Sequence, residues 1–461
     1  MKARNILAGG VAIVAAVLFY ASPGVRAQED ESTEITPPPS ESTPTPSEAT
    51  PTPSETPTEN TGNEVVNSSG KEVMNNSGKE FMSESGKEGP SNLGTGKFSR
   101  SPFHVSVSVR EGYDDNVYTT KFDRIDSFFT NASVVLDYNF GSPRTQFDLR
   151  AVGGFTYYYN RPFGQEYDIN SSLSLGVNHK ATPRLTLAAS AYVTYQSEPD
   201  FNNNLGVNRR SGNFFYTADK FSVGYQWTPR FSTVTSYTLG VINYEDTTIG
   251  AYEDRFEHTF GNEFRFLTLP TTTLVGEYRY QIIDFDTSPR DSTGHFVLGG
   301  LDHTFNPRFN VSLRGGVEFR DIDNVGERTS PYGEATLHYA VGHRTSLSWT
   351  NRYGLEVPDV PGSPSRTTFR TGLSLSYTIT PRITSSMALF YQHDDNDGVS
   401  LPTIVVPPFS EDSIDIGLGI RYEINRVFAA LAGYSHTEVF SDILLREYAR
   451  NRYYLGLNAS F

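Results

Sequence analysis

The sequence predicts an all-β protein, a transmembrane antiparallel up-and-down β-barrel of about 18 strands with 16 as the alternative, preceded by a disordered N-terminal tether. Three observations predict it. The chain alternates with period two up to its final residue, it carries a regular series of tight-turn marks, and its composition is that of an exported protein rich in aromatics.

The alternation is clearest in the last stretch, Tyr448 to Phe461. Backward from Phe461, one face holds Ala459, Leu457, Leu455 and Tyr453, and the other Ser460, Asn458, Gly456, Arg452 and Arg450. In a sandwich such an apolar face meets a core and in a barrel it meets lipid, so alternation alone leaves both open. The closing aromatic resembles the terminal signature by which bacterial outer-membrane barrels are recognised for insertion, which makes Phe461 the candidate assembly signal.

Composition narrows the class. Tyr (27) and Phe (31) are abundant, Gly reaches 39, Met falls to 4 and Cys is absent. Without Cys there is no disulfide framework, thiolate nucleophile, Cys-type zinc site or lipidated N-terminal Cys. A formal charge of -15 argues against a nucleic-acid partner, which favours a basic face.

Residues 1–27 read as a signal peptide: Lys2 and Arg4, an apolar run from Val11 to Tyr20, then Val25-Arg26-Ala27. The run is shorter than the roughly 18 residues a membrane helix needs. An exported chain patterned for lipid but lacking such a helix is left with a closed barrel, because lipid tolerates no unpaired strand edge. Residues 28–100 read as a tether dominated by Pro, Thr, Ser and Glu, with no basic residue between Gln28 and Val66. It buries too little apolar surface to offset chain entropy. Within it, residues 67–90 form three octapeptides sharing Ser-Gly-Lys-Glu. They fail as phosphate loops, since the earlier glycine and the following Ser or Thr are missing.

Residues 101–461 carry the barrel. Tight-turn marks stand at Pro143-Arg144, Pro183-Arg184, Pro229-Arg230, Pro270, Pro307-Arg308, His343-Arg344, Pro381-Arg382 and Asn425-Arg426. Proline suits a chain reversal and is excluded from a central ladder, so these eight turns separate nine hairpins. Longer polar segments between them, among them Glu198 to Ser211, Asp246 to Asp254, Asp321 to Ser330, Pro358 to Ser365 and Asp394 to Asp412, read as loops on the opposite side.

The strand faces predict what lines the interior. Val311, Leu313, Val317 and Phe319 alternate with Arg314, Glu318 and Arg320; Leu274, Tyr278 and Tyr280 with Glu277 and Arg279; Ile414, Ile416, Leu418 and Ile420 with Asp415 and Arg421. An Arg facing lipid at the midplane costs roughly 2 to 4 kcal/mol, so Glu277, Arg279, Arg314, Glu318, Arg320, Asp415 and Arg421 are expected to face a wet lumen. Carboxylates gather where strands enter the long loops. Asp114, Asp115, Asp246, Asp286, Asp323, Asp394 and Asp395 are candidates for an extracellular acidic rim that attracts cations or holds divalent ions shared with lipid phosphates, or else are ordinary solvated loop ends.

Nothing in the sequence assembles a catalytic set. The nine His residues are scattered, with His179 at a tight turn and His258 on a lipid-facing register, and no Ser, His and acid converge. His393 to Gly398 departs from a calcium loop at its first ligand position and, through Ile404, at its last. No enzyme activity, metal or cofactor is expected.

The opening strand Val105-Ser106-Val107-Ser108-Val109, followed by Arg110-Glu111-Gly112-Tyr113-Asp114-Asp115-Asn116-Val117-Tyr118, resembles the start of a family of outer-membrane beta-barrel porins. That resemblance implies a Gram-negative outer-membrane location and a link to exopolysaccharide export and exosortase-type envelope systems. The expectation is a porin-like channel for small hydrophilic solutes or ions. The alternative is an exopolysaccharide-export component, or a structural, surface-binding envelope protein. Expected partners are outer-membrane lipid, the barrel-assembly machinery and, on the alternative, polysaccharide-export proteins, with the tether in the periplasm.

Overall fold

The computed structural model describes residues 102–461 except 202–205, 211, 361–362 and 401–404. The expected signal peptide, tether and octapeptides lie outside the described residues. Eighteen long strands follow one another: β1 (Phe103–Asp114), β2 (Ser127–Gly141), β3 (Thr145–Tyr158), β4 (Tyr167–Lys180), β5 (Leu185–Gln196), β6 (Phe214–Gln226), β7 (Phe231–Tyr244), β8 (Arg255–Leu269) and β9 (Thr272–Phe285) form the first half. The second half is β10 (Ser292–Asn306), β11 (Phe309–Ile322), β12 (Gly326–Val341), β13 (Thr345–Glu356), β14 (Arg366–Thr380), β15 (Ile383–Asn396), β16 (Phe409–Glu423), β17 (Phe428–Ser441) and β18 (Tyr448–Ser460). Each pairs antiparallel with its neighbours in sequence, as a chain of hairpins requires.

Closure is made by β1 against β18, from Ser106 opposite Ser460 to Asp114 opposite Arg452. The Phe461 amide donates to the Val105 carbonyl at 2.8 Å, and the Val105 amide donates back to the Phe461 carbonyl at 3.1 Å. No strand of the sheet is left as an edge, the condition lipid imposes.

The expected turns all fall between even and odd strands, and proline explains most of them through its fixed φ and missing donor. At 142–144, 181–184, 227–230 and 381–382 a Ser or Thr hydroxyl accepts backbone N–H groups, as Thr182 does from Leu185 at 2.9 Å. Two sequence expectations are corrected. Asp321 to Ser330 is not a long loop, because β11 and β12 continue through it and leave only residues 323–325, with Asn324 at φ 63. Proline is not confined to turns either: Pro331 lies inside β12, opposite Val317 and exposed on the outer face. The loop at 245–254 contains a short helix, α1 (Thr247–Glu253), whose first turn is capped by Asp246 accepting from the Thr248 amide at 2.8 Å.

Burial follows the inverted logic of a lipid-facing sheet. Leu455 is 69% exposed and Val297 58%, while on the other face Asn458, Arg450 and Glu318 are buried. Single cysteines test this register, and the natural absence of Cys leaves the background clean. Cysteine replacements of Leu313 and Phe319 are expected to react with a lipid-soluble maleimide and resist a water-soluble one, and a replacement of Arg421 to do the reverse. Equal labelling of both sets in the folded protein would reject the register.

Candidate functional site

The lumen has two unlike walls. Along β1 to β7 the inward side chains are mostly short and polar: Ser106, Ser108, Asn131, Ser133 and Thr156 are buried there, and the Ser108 and Ser133 hydroxyls meet at 2.7 Å. Along β8 to β14 the wall is ionic. Arg265 pairs with Glu263 at 2.7 Å and with Asp302, Arg314 with Asp302 at 2.8 Å, Arg279 with Glu334 at 2.9 Å, and Arg370 with Glu356 at 2.6 Å. Arg265 and Glu263 share a strand, the Asp302 and Glu356 pairs join adjacent or next-but-one strands, and Arg279 reaches three strands on to Glu334, spans that long inward side chains can bridge.

All seven lumen candidates take part in inward contacts. Arg279 also holds Glu277 at 2.5 Å, and Arg320 holds Glu318 at 2.5 Å, with Glu318 accepting from the Leu355 amide at 3.2 Å. Asp415 accepts from the Thr437 hydroxyl at 2.6 Å, and Arg421 donates to Asn458 at 3.3 Å. Arg279, Arg314 and Arg320 are each matched with a carboxylate, and Arg421 with the neutral Asn458 side-chain oxygen.

The loop end of the barrel is not open in the way a bare 18-strand sheet would be. Between β5 and β6, the described residues Phe201 and Asn208 reach inward across the lumen. Phe201 packs with Phe390, Val439 and Tyr448 of β15, β17 and β18, eight, six and five strands away around the closed sheet. Asn208 reaches the same region: its amide donates to Asp359 at 3.1 Å and its side chain to Glu411 at 2.6 Å. Arg446 clamps both acceptors, at 2.8 Å to each. Arg210 stays on the near side, bonded to Asp168 and, at 3.1 Å, to Glu198.

Arg450 ties the loop to the wall. It binds both oxygens of Asp114 and, through its other nitrogens, Glu198 at 2.5 Å. Burial by itself would raise the Glu198 carboxyl, but Arg450 and Arg210 outweigh it and hold that group well below the usual carboxylate range. The same contest at Asp359, with Arg446 and Arg366 against burial, also ends in a lowered value. Apolar clusters pack near these loops, including Val117, Phe129 and Tyr158 near β1 to β3, and Phe214, Ile242 and Tyr244 near β6 and β7.

The acidic rim candidates are divided by this arrangement. Asp114 and Asp394 are 0% exposed and point into the barrel, Asp394 accepting from Thr368 at 2.7 Å and pairing with Arg366 at 3.3 Å. The expectation of solvated charge does not describe these two. Asp115 is half-buried and accepts from the Asn451 side chain at 2.7 Å. Asp246, Asp286, Asp323 and Asp395 are exposed at the loop end, Asp395 accepting from the Ser410 hydroxyl at 2.7 Å. Sequence reasoning singled out none of Arg210, Asn208, Arg366, Arg446 or Arg450 as site residues. Their signal was the placement of Arg within otherwise acidic loops and loop-proximal strand ends.

Residues 94–461 match the family described as "Putative beta-barrel porin 2". The chain belongs to this family. Its barrel is thereby a porin-type barrel of the outer membrane, and the match spans the whole described region. None of the curated proteins matches this chain. Among solved structures it is similar to OccAB4 of Acinetobacter baumannii, with 10% identity, 79% of this chain and 99% of that chain covered, and a TM-score of 0.39. It is also similar to two Pseudomonas aeruginosa proteins. OpdK, solved with vanillate, has 11% identity, covers 78% and 99%, and scores 0.41; OccK9 (OpdG) has 9% identity, covers 78% and 98%, and scores 0.42. At such identities and scores these likenesses carry no weight of their own.

Proposed function

We propose that this porin-family barrel passes small hydrophilic solutes or ions across the outer membrane through a lumen narrowed by its inward-folded loop, without enzymatic chemistry. The observation that carries the reading is the inner surface: hydroxyls and amides on one wall and matched charges of both signs on the other, an interior suited to water and polar solutes. The N-terminal tether, on this reading, lies in the periplasm, on the side of the short turns, and Phe461 serves as the signal read by the barrel-assembly machinery.

The test is a planar bilayer. Purified protein is expected to give small unitary conductances with weak ion selectivity, because paired wall charges cancel and the exposed rim carboxylates Asp246, Asp286, Asp323 and Asp395 are screened over roughly 8 Å at physiological salt. Strong selectivity for either sign would contradict a balanced wall. A silent bilayer would favour a second reading, supported by the loop that crosses the lumen and by the resemblance of the opening strand: an exopolysaccharide-export component opened only with partners.

A further inference from the structure

The outward face of the sheet is mostly apolar between its aromatic ends, with Asn351 opposite Thr371 as a polar pair on β13 and β14 and a longer polar stretch, which includes a carboxylate, on β6 to β8. On β6 to β8 it carries Thr217, Asp219, Thr235, Tyr237, His258 and Asn262, a polar stripe that runs from mid-strand Asp219 on β6 to His258 in the loop-side part of β8. The register proves the facing. Asp219 stands opposite Ala191 on β5, whose inward neighbour Tyr192 is buried, and on the other side opposite Leu239, which stands opposite His258. Phe221 and Phe260, two residues from Asp219 and His258, are exposed on the same face. Other outward carboxylates, such as Glu111, Asp321 and Glu438, stand near the loop ends of their strands, where water reaches them.

Asp219 sits instead in mid-strand, where a carboxylate against lipid is costly and a protein partner removes the cost. The stripe is self-complementary. Asp219 supplies an acceptor on one edge. On the other edge, His258 is fixed through Nδ1, at 2.9 Å from the Tyr237 hydroxyl, which leaves Nε2 for a group outside the barrel. Two strands separate them, roughly 10 Å. A two-fold axis along the membrane normal near Leu239 brings the acid edge of each copy to the imidazole edge of the other, as an isologous contact requires. Small residues flank the stripe, with Ala189 and Ala191 outward on β5, and small neighbours let two membrane surfaces approach closely.

We propose that the outward face of β6 to β8 is the surface on which two copies of this chain associate in the membrane, with Asp219 of one copy facing His258 of the other. This goes beyond the channel reading and does not depend on it. The full-length chain with Leu239→Cys, treated in outer-membrane vesicles with a short bis-maleimide, is expected to give a cross-linked dimer. Leu418→Cys, outward on the far wall, is expected to give none. Adding Asp219→Leu, or separately His258→Leu, to the Leu239→Cys chain should cut the cross-linked fraction severalfold while the heat-modifiable band shows the barrel still folded. Monomer only at Leu239→Cys, equal yield at both positions, a product with the mass of another protein, or an undiminished dimer in both leucine variants would overturn the proposal.

Discussion

An Arg450→Ala chain is expected to lose roughly 3 to 5 kcal/mol of stability, the usual cost of leaving a buried charge without its partner. Asp114 is fully buried and Glu198 nearly so, and Arg450 binds both. The remaining cations are less well placed: Arg452 lies 3.6 Å from Asp114, and Arg210 divides its guanidinium between Glu198 and Asp168. The measurement is the temperature at which the folded band converts to the unfolded one in detergent, which should fall well below that of the parent. Adding Asp114→Asn and Glu198→Gln should restore much of the loss, since the uncompensated charges then disappear. An unchanged midpoint in the single variant would show that Arg452 and Arg210 already compensate both carboxylates.

The same latch has a pH sign. Glu198 is held below its ordinary range in the folded chain, so its contribution is present above the unfolded carboxyl value and is lost as pH falls through the lower folded value. The loop should therefore stay tied at about pH 5 and come free only in strongly acid solution.

Replacing residues 199–212 by a short Gly-Ser linker is expected to raise unitary conductance severalfold. A sheet of 18 strands encloses more space than its own side chains fill, and two described residues of this loop reach across it, Phe201 to Phe390 and Asn208 to Glu411. The strand ladder should survive, because β5 and β6 remain paired from Leu185 opposite Tyr225 to Gln196 opposite Phe214. Asn208→Ala, which removes only the side-chain bond to Glu411, should move conductance in the same direction by less. If the linker variant folds and conducts as the parent does, the narrowest point lies elsewhere in the lumen.

The sequence by itself determined the strands and their facing. Alternation with period two and prolines that have no N–H to donate to a ladder are local properties, so the eight turns, the nine hairpins and the inward facing of Arg314, Glu318 and Arg421 were legible without any distant contact. Local polarity misled at Asp321 to Ser330, where residues that read as loop are held in strand by pairing between β11 and β12. Tertiary structure alone decided what the long loops do. Asp114 and Asp394 are surrounded by polar sequence, yet Arg450, distant along the chain, and Arg366 draw them into the barrel. The inward placement of Phe201 and Asn208 likewise depends on Asn208 meeting Glu411 and Phe201 meeting Phe390. A strand's facing is fixed by its own backbone geometry. A loop's path is fixed by charges and apolar groups that only the closed barrel brings within reach.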